Sequence, residues 1–501
     1  MIARTALALA ALLFALPVVA TWQPGVPVSL RLASLAILVT GWLRPGWAVA
    51  MVAGLVLLSM PVFVLSGAPF GGAETLQMFV LPLLASGAAR MALVGRPLQS
   101  RLLLPASGLA VVLLGLAAVQ LLTGAEARDA GGPLPGEWLR FMAGDYFLHS
   151  GRFVPIHDVM LWMQALGLAV VVEQVLRSEP AARQPVLRMT VAGVTGAAAF
   201  VIYRLIEVSL RTPTPVATAW DVLRTVRFNP HFADLNAAGS LYVLFFVPLV
   251  WWALAGRRAW LVAPSAATGL ALWATGSRTA LAAGVMGLGF AWAIAARPSW
   301  RRLALAVLLI VPLAWMATRD PGRGGATEGQ ALSIRAGLLR AGLTLARRDP
   351  LFGLGFRSFP SASRSALPAE LVEAYPRLAR GENAHNNFMQ ILVEFGALGL
   401  AAFLWLVATA CEPFVAQVRA GTTGSVVTGL VAGLLAFLVS CLGGHPLLIP
   451  QVLVPFGLAL GLVAGTPSQV PPRGRRFERW AAGGLAGLVL ISIPFRVAGG
   501  S

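Results

Sequence analysis

The sequence predicts an all-α protein: a polytopic transmembrane helix bundle of about 12–15 helices with one large, partly helical loop on its outer side. Three observations carry this. Of the 501 residues, 57% are hydrophobic and 12% charged, with mean hydropathy +0.77, a balance far more apolar than soluble domains show. Apolar runs of the roughly 17–25 residues needed to cross a hydrocarbon core recur about fifteen times. The basic residues fall in alternate short loops, as the positive-inside rule asks of cytoplasmic segments.

In chain order, Met1 to Ala20 carries Arg4, an apolar stretch and Val18-Val19-Ala20, a pattern shared by secretory signals and first transmembrane helices. With so many spans following, an uncleaved helix is expected, and either choice brings the chain out near Thr21. The cytoplasmic series then runs through Arg44; Arg96 and Arg101; Arg177, Arg183 and Arg188; Arg257 and Arg258; Arg297, Arg301 and Arg302; Arg419; and Arg473, Arg475, Arg476 and Arg479. This parity places Gly124 to Phe153, Arg211 to Asp234, the turn Gly276-Ser277-Arg278 and the long loop Arg319 to Asn386 outside. His149, His157, His231, His385 and His445 group on that face or at its boundary. The expected divisions are N-terminal transmembrane helices over 1–210, central helices with arginine-bearing outer loops over 211–318, the large outer loop over 319–386, C-terminal helices over 387–465, and a basic cytoplasmic linker with a short last span over 466–501.

The net charge of +18 would suggest nucleic acid in a soluble protein, but these charges are spread between spans, so a nucleic-acid partner is excluded and the bilayer is the expected surrounding. Every basic residue is arginine. Cys411 and Cys441 lie in or at the edge of apolar spans, without metal-ligand spacing, and read as packing residues. No acidic cluster suited to a divalent ion is present, and no cofactor or metal is expected.

The loop Arg319 to Asn386 is the only long hydrophilic stretch, and long loops in compact proteins usually work as lids or sites. Ser333 to Ala346 has helical spacing and stops before Asp349-Pro350; a turn, Gly353-Leu354-Gly355, follows. At the loop's end the chain reads Gly381-Glu382-Asn383-Ala384-His385-Asn386-Asn387 and passes into an apolar span. On a helix Asn387, Gln390 and Glu394 share one face, with Asn386 beside it, so a polar stripe enters the membrane. An intramembrane Glu marks a functional or structural polar network. His385, at its outer mouth beside a strongly basic loop, is a candidate base for an alcohol proton, against the plainer reading of a hydrogen-bonded histidine at a helix start.

The arginines are a second constellation. Many outer-loop arginines can be solvated charge, which long loops tolerate. Arg278 lies in a very short turn between two spans, where a guanidinium needs a partner or an anion. Several guanidinium forks facing one cavity suit a diphosphate, and hence a lipid-linked diphosphate. Arg224 and Arg227, in the segment running to His231, are either ligand contacts or part of a capped helix start.

These features resemble the family of bacterial O-antigen ligases and O-antigen or exopolysaccharide polymerases. The resemblance rests on His385-Asn386 followed by Gln390, Glu394, Gly396, Gly399 and Leu400; on Ser277-Arg278; on Phe228-Asn229-Pro230 before Asn236-Ala237; and on Arg335 upstream of Pro350-Leu351-Phe352-Gly353-Leu354-Gly355. It covers about half the chain, roughly Arg224 to Gly465. It implies a GT-C-like, metal-independent membrane glycosyltransferase that takes a glycan from undecaprenyl diphosphate on the periplasmic face of the bacterial inner membrane. His385 would be the base, Arg278, Arg227 and Arg335 the diphosphate ligands, and Asn386, Gln390 and Glu394 a supporting network. The acceptor would be lipid A core, a growing glycan or, in the alternative of an oligosaccharyltransferase, a protein side chain. A lipid-linked glycan transporter without chemistry is the rival class, which the absence of repeated halves disfavours.

Overall fold

The structure, a computed structural model, describes residues 2–67, 71–94, 100–123, 135–148, 153–230, 232, 234–256, 258–295, 328–467 and 476–499. Arg96, His149, His231, Arg257, Arg297, Arg301, Arg302, Arg319, Arg323, Arg473, Arg475 and the loop residues 124–134 and 149–152 lie outside the described residues. All regular structure among the described residues is helical. The helices are α1 (Ile2–Ala20), α2 (Val28–Leu43), α3 (Pro45–Leu55), α4 (Ser59–Ser66), α5 (Gly72–Val94), α6 (Leu103–Thr123), α7 (Pro135–Arg140), α8 (Val154–Ser178), α9 (Arg183–Leu210), α10 (Pro215–Thr225), α11 (Leu235–Ala255), α12 (Val262–Ala274), α13 (Arg278–Ala295), α14 (Glu328–Ala346), α15 (Ser358–Ser363), α16 (Ala369–Ala374), α17 (Asn387–Arg419), α18 (Ser425–Ser440), α19 (Pro450–Ala464) and α20 (Arg476–Gly499).

Eight of the described helices are long and apolar enough to cross a membrane, or nine if α3 and α4, bent by 71° at their break, form one span; five further apolar helices are shorter. A helix without water must satisfy its backbone internally, so long apolar helices packed side to side are the expected solution. The protein is accordingly an all-α, multi-pass membrane bundle. Its core is one apolar cluster in which α5 packs on α1 and α2, α3 on α9, α8 on α19, α18 on α11 and α13, and α20 on α6. Small residues allow the closest approaches: Gly457 of α19 lies against the Ala165 backbone of α8, and Gly433 of α18 against Leu244 and Pro248 of α11.

Two boundaries differ from the sequence expectation. The helix expected from Ser333 begins at Glu328, because the apolar period starts only at Ile334, while Leu332 and Ser333 are exposed helical residues with nothing to pack on. The last span, expected to be short over Ala481 to Val497, is the 18-residue apolar stretch Trp480–Val497, but the helix that carries it, α20, begins earlier, at Arg476; its basic first turn carries no hydropathy signal.

The long loop folds. Ile334, Leu338, Ala341 and Leu345 of α14 form a separate apolar cluster with Phe359, Leu367 and Leu378 of the following turns, and with Met389 and Val393 of α17. The first two turns of α17 therefore join the two cores, with Met389 and Val393 in the loop's cluster and Ile391 in the membrane core, which the rest of the helix continues.

Candidate active site

The site is built around the start of α17. The Asn386 side chain caps that helix, accepting from the Met389 N–H at 3.1 Å, so its polar group is consumed by a job that N-cap asparagines perform generally. His385, just before it, has φ +48°, a left-handed backbone unusual outside glycine. Such a conformation costs on the order of 1–3 kcal/mol and persists only when its neighbours over-determine it. They do so here. The Ala384 N–H donates to Gln390 Oε1 at 2.9 Å; the Asn387 N–H donates to the Cys441 carbonyl at 2.8 Å; and Asn387 Oδ1 accepts from the Leu447 N–H at 3.0 Å. The imidazole is thus held from both sides of the chain, with its Nε2 3.8 Å from Glu382 Oε1.

Beneath it, the polar stripe of α17 is a latch between the helix and the loop. Gln390 donates to Glu394 Oε1, which also accepts from the Phe359 N–H at 3.3 Å. Both side chains are buried, so each bond matters more than it would in water. The stripe read from the sequence is there, but it fastens the loop rather than opening the membrane to solvent. The helix also breaks two residues later, at Gly396, with φ 70° and ψ −177°, a region of backbone space open essentially to glycine alone.

The turn Pro350 to Gly355 plugs that break. The carbonyls of Val393 and Glu394, freed from helical partners, accept from the Leu354 and Gly355 N–H groups at 2.8 and 2.9 Å. The Ala397 and Leu398 N–H groups donate to the Pro350 and Leu351 carbonyls at 2.8 and 3.1 Å. Gly353, at φ +76°, lies so close to Glu394 and Gly396 that no side chain fits there. Arg496, near the end of α20, clamps the same turn through Asp349 Oδ2 at 3.0 Å, the Gly353 carbonyl at 2.7 Å and the Phe352 ring.

Three arginines from separate segments form a chain of neighbouring charges that reaches His385 through Arg335, with Arg278 bearing on both Arg335 and Arg227. Arg227 lies across the turn before α13, donating from Nε to the Thr275 carbonyl at 3.0 Å and from Nη2 to Asn236 Oδ1 at 2.8 Å. Gly276, at φ +61°, leaves room for its stem. Arg278 opens α13 and Arg335 lies on α14. Burial, then the Arg278 charge against the pull of Asp234, lowers the Arg227 pKa. Partial desolvation followed by Arg278 does the same to Arg335. Burial first, then Arg335, pushes the His385 pKa below its usual value, with Asp234 opposing and Arg377 adding to the effect. The result is a neutral imidazole beside clustered guanidinium groups: a proton acceptor next to an anion site. Among the described residues no group of three or more histidines, cysteines or carboxylates is placed to hold a metal ion.

All four residues singled out as base and diphosphate ligands therefore lie in one electrostatic neighbourhood, and the three network residues lie under it. Arg227 and Arg278 are half-buried, whereas Arg335 is exposed, as are Arg224, Arg340, Arg347, Arg348, Arg364 and Arg380. Sequence reasoning missed His445 and Asp234. The His445 ring stands 5.0 Å from that of His385, and its Nε2 lies 3.3 Å from Asp234 Oδ2. Asp234 also caps α11, accepting from the Asn236 and Ala237 N–H groups. An aspartate before an apolar run is a readable cap signal, but nothing in the sequence joins it to His445.

Fold and site together define a multi-pass membrane protein with a neutral histidine and an arginine cluster at one end of its bundle. Residues 260–404 match the family model described as O-antigen ligase. The matched stretch contains Arg278, Arg335, His385 and Glu394, and the match supports a glycan-transfer role in polysaccharide biosynthesis. No curated protein matches the chain.

Proposed function

We propose that the protein transfers a glycan from undecaprenyl diphosphate to an acceptor hydroxyl on the periplasmic face of the inner membrane, as an O-antigen ligase or polymerase. The observation that carries this reading is the neutral His385 imidazole held beside Arg335, Arg278 and Arg227. In a single displacement, His385 takes the acceptor's hydroxyl proton while the oxygen attacks the anomeric carbon. The bond from that carbon to the diphosphate oxygen breaks, and configuration inverts. The leaving diphosphate gains charge as the bond breaks, and fixed guanidinium donors stabilise it more than the bound donor. Arginine supplies this charge in place of a metal ion, so the reaction is read as metal-independent.

Replacement of His385 by Ala tests the reading. The variant is expected to insert at wild-type levels and to leave no polysaccharide ladder; normal ladders refute it. Deleting the gene separates the acceptors, since full-length chains left on the lipid carrier indicate a ligase and single capped repeat units a polymerase.

A further inference from the structure

A polar cavity opens beside the site, with Glu394 and His445 in its lining, and the scheme above assigns it no substrate group. Its volume is about 580 Å³, and its walls include Glu74, His157, Asp158, Trp162 and Arg357, together with Asn383 and His445 at the His385 end. Glu74 lies in the first turn of α5 and His157 and Asp158 near the start of α8, so the N-terminal helices supply one part of the lining, while Arg357, Asn383 and Glu394 come from within the matched residues 260–404 and His445 from beyond them.

Its polar wall is built in advance. His157 Nε2 is 3.2 Å from Gln77 Nε2; Gln77 Oε1 accepts from Tyr146 Oη at 2.7 Å and from Gln164 Nε2 at 2.9 Å. Gln77, Gln164 and Tyr146 are fully buried. Arg357, itself at φ +55°, donates to Asp158 Oδ1 at 2.6 Å. Ordering so many polar groups in an apolar bundle is costly unless they serve a polar ligand or one another. Aromatic rings line the cavity beside these groups: Trp162 meets Phe395 edge-on at 5.5 Å, and Phe395 packs on Phe356 at 5.0 Å. Charge divides the two regions. The arginine cluster invites a diphosphate, whereas Glu74 and Asp158 repel one. Hydroxyl groups, which donate and accept, suit a mixed array of carboxylate, imidazole and guanidinium, and an aromatic face suits the C–H face of a sugar ring.

We propose that this cavity is a saccharide subsite, holding an uncharged, hydroxyl-rich ring of one of the two glycan substrates beside Asn383 and His445. It rests on the glycan-transfer reading for its role but not for its test. The probe is free oligosaccharide, released by mild acid from the lipid-linked glycans of a gene-deleted host. Hydroxyl-radical footprinting of the purified full chain reads oxidation of Trp162. Oxidation is expected to fall severalfold with the oligosaccharide and to stay unchanged with inorganic pyrophosphate; no protection by the sugar, or equal protection by pyrophosphate, overturns the proposal. Where wild type turns over, Asp158→Asn and Trp162→Leu, each checked for wild-type thermal unfolding, are expected to raise one KM by about tenfold or more. A raised donor KM assigns the donor's sugar, a raised acceptor KM the acceptor's, and unchanged values for both overturn the subsite. Absence of wild-type turnover would refute glycan transfer alone, since the footprint still decides the subsite.

Discussion

Gly396→Ala probes the link between fold and site most directly. Two responses are open to the variant, and both are costly. If the break is kept, alanine must occupy φ 70°, ψ −177° at a cost of about 1–3 kcal/mol, and its Cβ falls onto the backbone of Leu351 and Phe352, so the plugging turn must also move. If α17 straightens, the Ala397 and Leu398 N–H groups return to the Val393 and Glu394 carbonyls, regaining two bonds of about 0.5–1.5 kcal/mol each. Four groups of the turn, the Leu354 and Gly355 N–H and the Pro350 and Leu351 carbonyls, then lose their partners at about 1–3 kcal/mol each where water does not replace them. Keeping the break therefore costs at least about 1–3 kcal/mol and straightening a net loss of about 1 kcal/mol or more, and both routes displace Gln390 and Glu394 relative to Ala384 and Phe359. The expected result is a lower melting temperature in detergent together with a large loss of glycan transfer. Melting and activity both indistinguishable from wild type would refute the idea that the break positions the site.

Other perturbations reach the site by different routes. Arg278→Lys keeps the charge but not the fork, and transfer is expected to fall about 10²-fold or more; near-normal kcat/KM would show that point charge suffices. Because burial and Arg335 hold the His385 pKa below its usual value, the rate should climb with pH through a value below the ordinary imidazole range and then level off. Arg335→Gln removes a repelling cation, favours the protonated imidazole and should move that limb to higher pH; an unmoved limb would refute the coupling. Arg496→Ala removes the clamp on Asp349 and Gly353 at about 1.5–3 kcal/mol, and unfolding at the wild-type temperature would show α20 to be dispensable to the turn.

The membrane class was legible because it follows from composition and run length, which need no tertiary information. The polar stripe of α17 was legible for the same reason, since Asn387, Gln390 and Glu394 recur at a helix's own spacing. What the stripe binds was not, because its partners, Ala384 N–H, Phe359 N–H and Leu447 N–H, are backbone groups with no residue-type signature. Arg278 stood out by lying in a turn too short to be solvated freely. Arg335, one loop arginine among many, stood out only by its place upstream of the Pro350 to Gly355 motif; its neighbourhood with His385 depends on how α14 packs on α17. His445 pairs with Asp234 across more than two hundred positions of chain, and such pairing is written in the fold alone.

The break at Gly396 also explains how the proposed base, His385, is set at the start of a membrane helix. Met389 and Val393 pack into the loop's own core, whereas Phe395, Phe403 and Leu406 pack into the bundle. An unbroken helix would fix one packing angle for both cores, and any adjustment of the span would swing His385. With the break, the segment 386–395 bridges the two cores: Gln390 and Glu394 tie it to the loop, Asn387, Ile391 and Phe395 tie it to the bundle, and the turn Pro350 to Gly355 supplies the hydrogen bonds the helix lacks. The loop core, the turn and the Arg496 clamp then act as one rigid support, on which the strained His385 backbone and Arg335 of α14 are carried together. Arg278 and Arg227 are carried by the bundle. The distance between base and diphosphate site is therefore set at the joint between loop and bundle, which is where Gly353 and Gly396 meet.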